Sequence, residues 1–210
     1  VRHNYALGSG QTWATIRGGA GTAFNSTSDA TNTFEMQSDN VSTQWRELWR
    51  GIFLFDTSSI PDTDTISAAT LSLFGTLKSD GLGITPNVNI YASTPASNTA
   101  LANGDYAQLG STAFATAISY ASWSASAYND FSLNASGKAA ISLTGVSKFG
   151  TRNQNYDADN SAPTWSDNLE SRIQSNNAEA AGTTSDPKLV VTHAAAASAS
   201  KLFMFMGIGK

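Results

Sequence analysis

Cysteine is absent from this chain of 210 residues, so no disulfide bond holds the fold, and neither an oxidising nor a reducing compartment is excluded. Charged residues are also scarce, at 13% of the chain, and the formal net charge is −4. Nucleic-acid binding needs clustered lysines and arginines to neutralise phosphates, and we therefore expect no nucleic-acid partner. No apolar run approaches the roughly 20 residues of a membrane helix, so we expect no membrane insertion.

Side chains suited to catalysis are few. The two histidines, His3 and His193, lie in no recognisable nucleophile–base motif. Glycoside hydrolysis needs two convergent carboxylates. The glutamates are scattered along the chain, and no pair is distinguished by its spacing: Glu35, Glu47, Glu170 and Glu179. We predict that the chain is not an enzyme and that it needs no cofactor.

One segment could hold a metal ion. Asp157 and Asp159 place carboxylates at alternate positions, followed by the amide of Asn160, and oxygen ligands suit a hard cation such as calcium. The glycine and the distant glutamate of an EF-hand loop are lacking. A structural calcium site and a solvated polar loop are therefore the two alternatives.

The stretch from Trp49 to Phe74 predicts a strand, a loop and a second strand. Residues 52–55 form a short run of β-branched and aromatic types. Both faces of this run are apolar, so we expect a central strand that is covered on both sides. Arg50 and Asp56 would lie near its two ends, where a charge can reach water or a partner.

The second strand of this stretch follows a loop rich in short polar side chains. Pro61 lies in that loop and cannot donate a ladder hydrogen bond. From Ile66 onward, Ala69, Leu71 and Leu73 alternate with polar residues, which is the period of a half-buried strand.

Similar patterns predict strands over much of the remaining chain, at 12–17, 33–36, 88–91, 113–120, 128–133, 146–152, 169–175 and 189–193. Residues 136–144 suggest the single helix, capped by Ser136 and ended by Gly145. We predict an all-β, jelly-roll-like antiparallel β-sandwich with at most one short helix. The sandwich would span residues 1–193, followed by a small-residue linker at 194–200 and an apolar tail at 201–210.

The tryptophans divide between core and ligand-binding interpretations. Trp13 is expected in the core, because large apolar side chains are usually buried. Trp45 and Trp49 are four residues apart, so they would share one face of either a helix or a strand. Trp123 lies in a loop of small polar residues and is a better candidate for exposure. The indoles of Trp45, Trp49 and Trp123 are candidate stacking platforms for a glycan; burial in the core is the alternative.

The apolar tail contains Leu202, Phe203, Met204, Phe205 and Met206. Burying one such side chain stabilises by ~1.5–3 kcal/mol, so this segment should dock on a surface. Docking on its own domain is one alternative. We favour docking on a neighbouring subunit as an added strand or plug, because the preceding linker lets the tail reach away. The expected partner is a second copy or another protein of a virion or filament.

The stretch described above resembles the DNRLRE-type (disaggregatase-related) β-sandwich modules. The matching residues are Arg50, Phe55, Asp56, Thr57, Ser58, Ile60, Pro61, Ile66, Ala69, Leu71 and Leu73, with Pro187, Leu189, Val191 and His193 at the last strand. Histidine stands at position 193 where these modules usually have tyrosine. The chain is also similar to small structural proteins of phages that use this module. The resemblance implies a non-catalytic jelly roll that often binds glycans. A neutral, hydroxyl-rich surface is common on secreted and virion proteins, so we expect an extracellular or virion location.

Two functions follow as hypotheses. The first is a structural or attachment module of a virion or extracellular assembly, in which the tail docks on a neighbouring subunit. The second is a carbohydrate-binding module of a secreted or cell-surface protein, which would use the tryptophan platforms to recognise a surface glycan.

Overall fold

The computed structural model describes residues 2–4, 8–25 and 30–196, with side chains from residue 8 onward. The strands are β1 (Arg2–Asn4), β2 (Thr31–Ser38), β3 (Trp45–Trp49), β4 (Gly51–Asp56), β5 (Asp64–Asp80), β6 (Val88–Ala92), β7 (Tyr128–Ser132), β8 (Val146–Asn153), β9 (Glu170–Asn176) and β10 (Lys188–Ala195). Two short α-helices, α1 (Trp13–Gly18) and α2 (Ala135–Ala139), accompany a 3₁₀ turn (Asn103–Ala107) and a π turn (Gln154–Ala158).

The described strands form two antiparallel sheets. The larger has the order β1-β3-β2-β9-β5-β10, with β7 also paired to β5, and the smaller has the order β4-β8-β6. β5 joins the parts of the larger sheet, because its first half pairs with β10 and its second half with β9. This arrangement confirms the all-β, sandwich-like fold that the alternating sequence predicts.

Two hydrophobic clusters fill the interior. The main core takes side chains from both sheets, among them Phe34, Phe53, Leu71, Leu73, Ile90, Trp123, Phe131, Phe149 and Ile173. The second core lies around α1 and contains Trp13, Ile16, Met36, Trp45, Leu48, Leu82, Ile84 and Tyr106. Ala69, Leu71 and Leu73 are buried as their spacing in β5 predicts, and Trp13 is buried as expected.

The expectation of at most one short helix is wrong, and the first difference lies at residues 12–17. These residues form α1, not a strand. Thr12 caps α1 by accepting a hydrogen bond from the backbone N–H of Thr15 at 3.3 Å. Trp13 and Ile16 are both buried, and a spacing of three residues places them on one helical face.

Three other predicted elements also differ. The cap of α2 lies two residues before the predicted one: Asn134 accepts from the N–H of Gly137 at 3.0 Å, and the helix ends at Ala139. Residues 113–120 follow the edge of β6 through isolated hydrogen bonds, such as Phe114 N–H to the carbonyl of Ile90 at 2.8 Å, and form no regular strand. The last strand, β10, continues to Ala195, two residues into the segment predicted as linker.

β4 is an edge strand, which corrects the prediction of a central strand covered on both sides. Within the described parts of the chain it pairs only with β8. Phe53 points into the main core, whereas Ile52, Leu54 and Phe55 are only partly buried. A central position in a sheet therefore does not explain why both faces of β4 are apolar.

Candidate functional site

Asp157 lies at the centre of a buried network of charges. Its carboxylate accepts four hydrogen bonds, from Arg50 at 2.8 and 2.7 Å and from Arg152 at 2.9 and 2.7 Å. Arg17 donates to its backbone carbonyl. Burial would raise the pKa of Asp157, but the charge of Arg50 and the hydrogen bonds from both guanidinium groups outweigh it and lower that pKa. Asp157 is therefore ionised and fully paired.

This network ties distant segments together. Arg50, just before β4, also donates to the carbonyls of Tyr106 at 2.6 Å and Arg17 at 2.8 Å. Its guanidinium carbon lies 3.9 Å from the centre of the Tyr106 ring. Arg152 of β8 donates to the carbonyl of Gly110 at 2.7 Å. Of the two expected alternatives for Arg50, water or a partner, the structure shows the partner: Arg50 is buried and pairs with Asp157.

The geometry argues against the predicted calcium site. The side chain of Asp157 is fully buried, and both of its oxygens are engaged by guanidinium groups. Asp159 is exposed two residues further on and is not part of this network. The described residues contain no cluster of three or more histidine or acidic side chains that could hold a metal ion.

Two of the three candidate glycan platforms are buried. Trp45 is 2% exposed and packs edge-on against Trp13, with ring centres 5.1 Å apart. Trp123 is 1% exposed and packs against Phe34 in the main core. The assignment of Trp45 and Trp123 as stacking platforms is therefore wrong, because a sugar ring cannot reach either indole.

Trp49 keeps part of its surface exposed. A bulge in β3 sets it on the opposite face from Trp45, because Arg46 is an extra residue between the pairs Glu47–Gln37 and Trp45–Ser38. The prediction that the two indoles share a face is therefore wrong. Trp49 donates from Nε1 to Glu47 at 2.5 Å.

Three glutamates that are far apart in sequence meet on the outer face of the larger sheet. Gln37 of β2 pairs with Glu47 of β3 on one side and with Glu170 of β9 on the other. Glu35 lies two residues before Gln37 on the same face of β2 and opposite Arg172 of β9, so it is diagonal to both glutamates. Glu35 is 7% exposed and hydrogen-bonds to Glu170. Arg172 pairs with Glu170 at 3.2 Å. Strand pairing creates this cluster, and nothing in the linear spacing indicated it.

The cluster changes the acidity of Glu35. Burial, followed by the charges of Glu170 and Glu47, raises the pKa of Glu35 from 4.5 to about 8, while Arg172 acts in the opposite direction. A protonated carboxyl beside a carboxylate is one requirement for glycoside hydrolysis. Glu35 is too deeply buried for a substrate to reach without displacing its neighbours.

A cleft of about 230 Å³ runs along β4. It is lined by all four residues from Ile52 to Phe55, by the loops around residues 99–101 and 177–179, and by Asn25, Asn32 and Pro187. The cleft is smaller than the roughly 300–1,000 Å³ of most small-molecule sites, so it suits one or two side chains of a peptide better than a drug-sized ligand. Beside it, β4 presents backbone groups that no described strand pairs.

The predicted docking residues of the tail, Leu202, Phe203, Met204, Phe205 and Met206, lie outside the described residues. The described chain ends at Ala196, whose N–H donates to the carbonyl of Thr63 at 3.3 Å, so β10 leaves the fold beside the loop between β4 and β5. No helix in the described part of the chain is both long and apolar enough to cross a membrane.

Comparison with models of protein families, with curated proteins and with solved structures found no match to this chain. The resemblance to DNRLRE-type modules therefore stays a prediction. Several residues that carry it have structural roles here: Arg50 joins the buried network, Ile60 is buried, and Thr57 hydrogen-bonds to Ser147 at 2.7 Å.

Proposed function

We propose that this chain is a non-enzymatic structural or attachment module of a virion or extracellular assembly, and that its apolar tail docks on a neighbouring subunit. The observation that carries the proposal is the apolar outer edge of β4, which no strand in the described parts of the chain pairs, together with the cleft beside it. An exposed edge strand is a ready template for pairing with another chain, and proteins that must avoid such pairing place charges or prolines there. Gly51 to Phe55 contain neither.

The charged side chains near β4 support a structural role. Arg50 and Arg152 both pair with Asp157 in the interior, where they hold the start of β4 beside the end of β8. Groups held in this way position a surface and are not available for chemistry. The partners that fit the proposal are a second copy of the chain or another protein of the same virion or filament.

Sedimentation velocity tests this function. We expect the full chain to form assemblies whose size rises with protein concentration. A full-length variant with Phe203→Ser and Phe205→Ser should remain monomeric, because it cannot bury the two aromatic rings. A chain ending at Ser200 provides the second comparison. Assembly of both variants at the wild-type concentration would rule the proposal out.

Glycan recognition is a second candidate, supported by the partly exposed indole of Trp49 beside the polar side chains of Glu47 and Gln37. Stacking on this indole predicts that Trp49→Ala abolishes glycan retention, whereas Trp49→Phe keeps part of it. A glycan array with the wild-type chain identifies the ligand. An array without any hit would exclude this function.

A further inference from the structure

We infer that the free edge of β4 and its cleft receive residues 202–206 of a second copy, which add to the smaller sheet as a fourth strand. This inference rests on the proposed function and names the surface on which the tail docks. It follows from an edge that no described strand pairs, from the lining of the cleft, from the charges at its ends and from the length of chain beyond Ala196.

The edge has the right form for an added strand. β4 has six residues and a length of about 20 Å, and a segment of five to six residues would cover it. β8 occupies one side of β4, so the backbone groups on its other side can bond to an incoming chain. Alternate side chains of the incoming strand would then enter the cleft or contact the partly buried Ile52 and Leu54.

The charges of the two surfaces are complementary. The apolar segment is bracketed by Lys201 and Lys210, while Glu179 lines the cleft and Asp56 ends β4. Hydrogen bonds from the hydroxyl and the N–H of Ser58 lower the pKa of Asp56, so this exposed carboxylate carries its charge at neutral pH. The two lysines can therefore lie near acidic groups while the apolar residues between them are buried.

The exit of the chain favours a second copy. The ends of β5 and β10 pair with each other, and Thr65, Ser67, Thr192 and Ala194 are exposed on this arm. The arm therefore extends beyond the sandwich, and the tail leaves from its end. The five residues between Ala196 and Leu202 span up to about 20 Å when extended, so the receiving edge must lie close to the end of the arm, as that of an adjacent molecule can.

The geometry has a consequence for the assembly. Each copy would donate a tail and receive one at a different surface, so the contact is heterologous. Two copies that exchange tails reciprocally close a twofold dimer, whereas tails passed from one copy to the next give larger rings or filaments. Electron microscopy and sedimentation of the wild-type protein should therefore show one of these tail-exchanged assemblies.

Complementation between two full-length variants provides the decisive test. Leu54→Lys blocks the receiving edge and leaves the tail intact, whereas Phe203→Ser with Phe205→Ser blocks the tail and leaves the edge intact. Each variant alone should associate at least tenfold more weakly than wild type in sedimentation velocity. Their equimolar mixture should form a one-to-one dimer. Val190→Lys, at an exposed site on β10, is the control and should assemble like wild type.

The outcomes separate this inference from the proposed function. If the tail variant is monomeric but Leu54→Lys assembles normally, the tail drives assembly and the receiving surface lies elsewhere, so the inference fails alone. If the tail variant assembles like wild type, the proposed function fails as well. Loss of assembly in both variants without dimer formation in the mixture also overturns the inference, provided that circular dichroism shows both to be folded.

Cysteine crosslinking tests the pairing directly, because the natural chain has no thiol. A Leu54→Cys chain mixed with a Phe203→Cys chain of different mass should give a mixed product with a short bismaleimide. A Val190→Cys chain should not give this product. In a chain that carries both Leu54→Cys and Phe203→Cys, a crosslink confined to single molecules would show that the tail docks on its own β4 and would refute the inference.

Discussion

Glu35 provides the sharpest test of the electrostatics of the larger sheet. The perturbation is Glu35→Gln, which keeps the shape of a protonated glutamic acid but cannot ionise. In the native protein, Glu35 is buried beside Glu170 and Glu47, and its pKa is raised from 4.5 to about 8. Glu35 is therefore protonated in the folded protein over most of the neutral pH range, and its ionisation destabilises the fold.

The magnitude follows from the linkage between proton binding and stability. The folded state binds the proton more tightly than the unfolded state, so ionisation removes stability as the pH rises from about 4.5 to about 8. At about 1.4 kcal/mol for each tenfold difference in proton affinity, the full shift corresponds to about 5 kcal/mol. Below pH 4.5 Glu35 is protonated in both the folded and the unfolded state, and its ionisation no longer lowers the stability.

Urea unfolding at pH 4, 7 and 9, followed by tryptophan fluorescence, measures the effect. We expect Glu35→Gln and wild type to have similar free energies of unfolding at pH 4. At pH 9 the variant should be more stable by about 3–5 kcal/mol. Glu179→Gln, which removes an exposed carboxylate, is the matched control and should follow wild type at every pH.

A difference between Glu35→Gln and wild type that does not change with pH would refute this reasoning. It would mean that Glu35 ionises in the folded protein as readily as in the unfolded chain. A variant that is less stable than wild type at pH 9 would refute it too, because the carboxylate would then be stabilised by Arg172 more than it is penalised by burial.

Three further substitutions test the interior. Asp157→Asn should lower the free energy of unfolding by about 3–5 kcal/mol, because two buried guanidinium groups lose their counter-charge; chelation of calcium should leave the melting temperature unchanged. Trp123→Ala should cost about 3–5 kcal/mol in urea unfolding, whereas an exposed platform would cost little. Gly75→Ala should destabilise by more than 1 kcal/mol, because a methyl group would overlap the carbonyl oxygen of Ser124; unchanged thermal stability would contradict this packing.

Local sequence rules predicted most strands but misplaced short elements, whose secondary structure depends on the residues that they pack against. The alternation of Leu71 and Leu73 was sufficient to place β5, because a strand with one buried face has a period of two. Thr12 to Arg17 also alternates, yet these residues form α1, since Trp13 and Ile16 gain more by packing together in the second core. Propensity is a weak signal over six residues, and tertiary packing overrides it.

The same distinction between local sequence pattern and tertiary contact applies to the candidate functional surfaces. Nothing in the spacing of Glu35, Glu47 and Glu170 indicates that they meet, because the pairing of β3, β2 and β9 brings them together. The apolar run of β4 predicted a strand, but its position at an edge depends on which strands find each other. Trp45 and Trp49 lie on opposite faces because of a single extra residue in β3, a feature of register that a sequence pattern does not encode.

The sequence alone therefore determined the class of the fold: alternating apolar residues, many β-branched and aromatic, favour packed antiparallel sheets regardless of how they are connected. Tertiary structure alone decided that Asp157 binds two arginines, that Trp123 is interior, and that no described strand pairs the outer edge of β4. These properties depend on contacts between residues up to about 110 positions apart, such as Arg50 with Asp157 at a separation of 107. Local chemistry fixes how a segment folds, whereas burial and pairing depend on the whole chain.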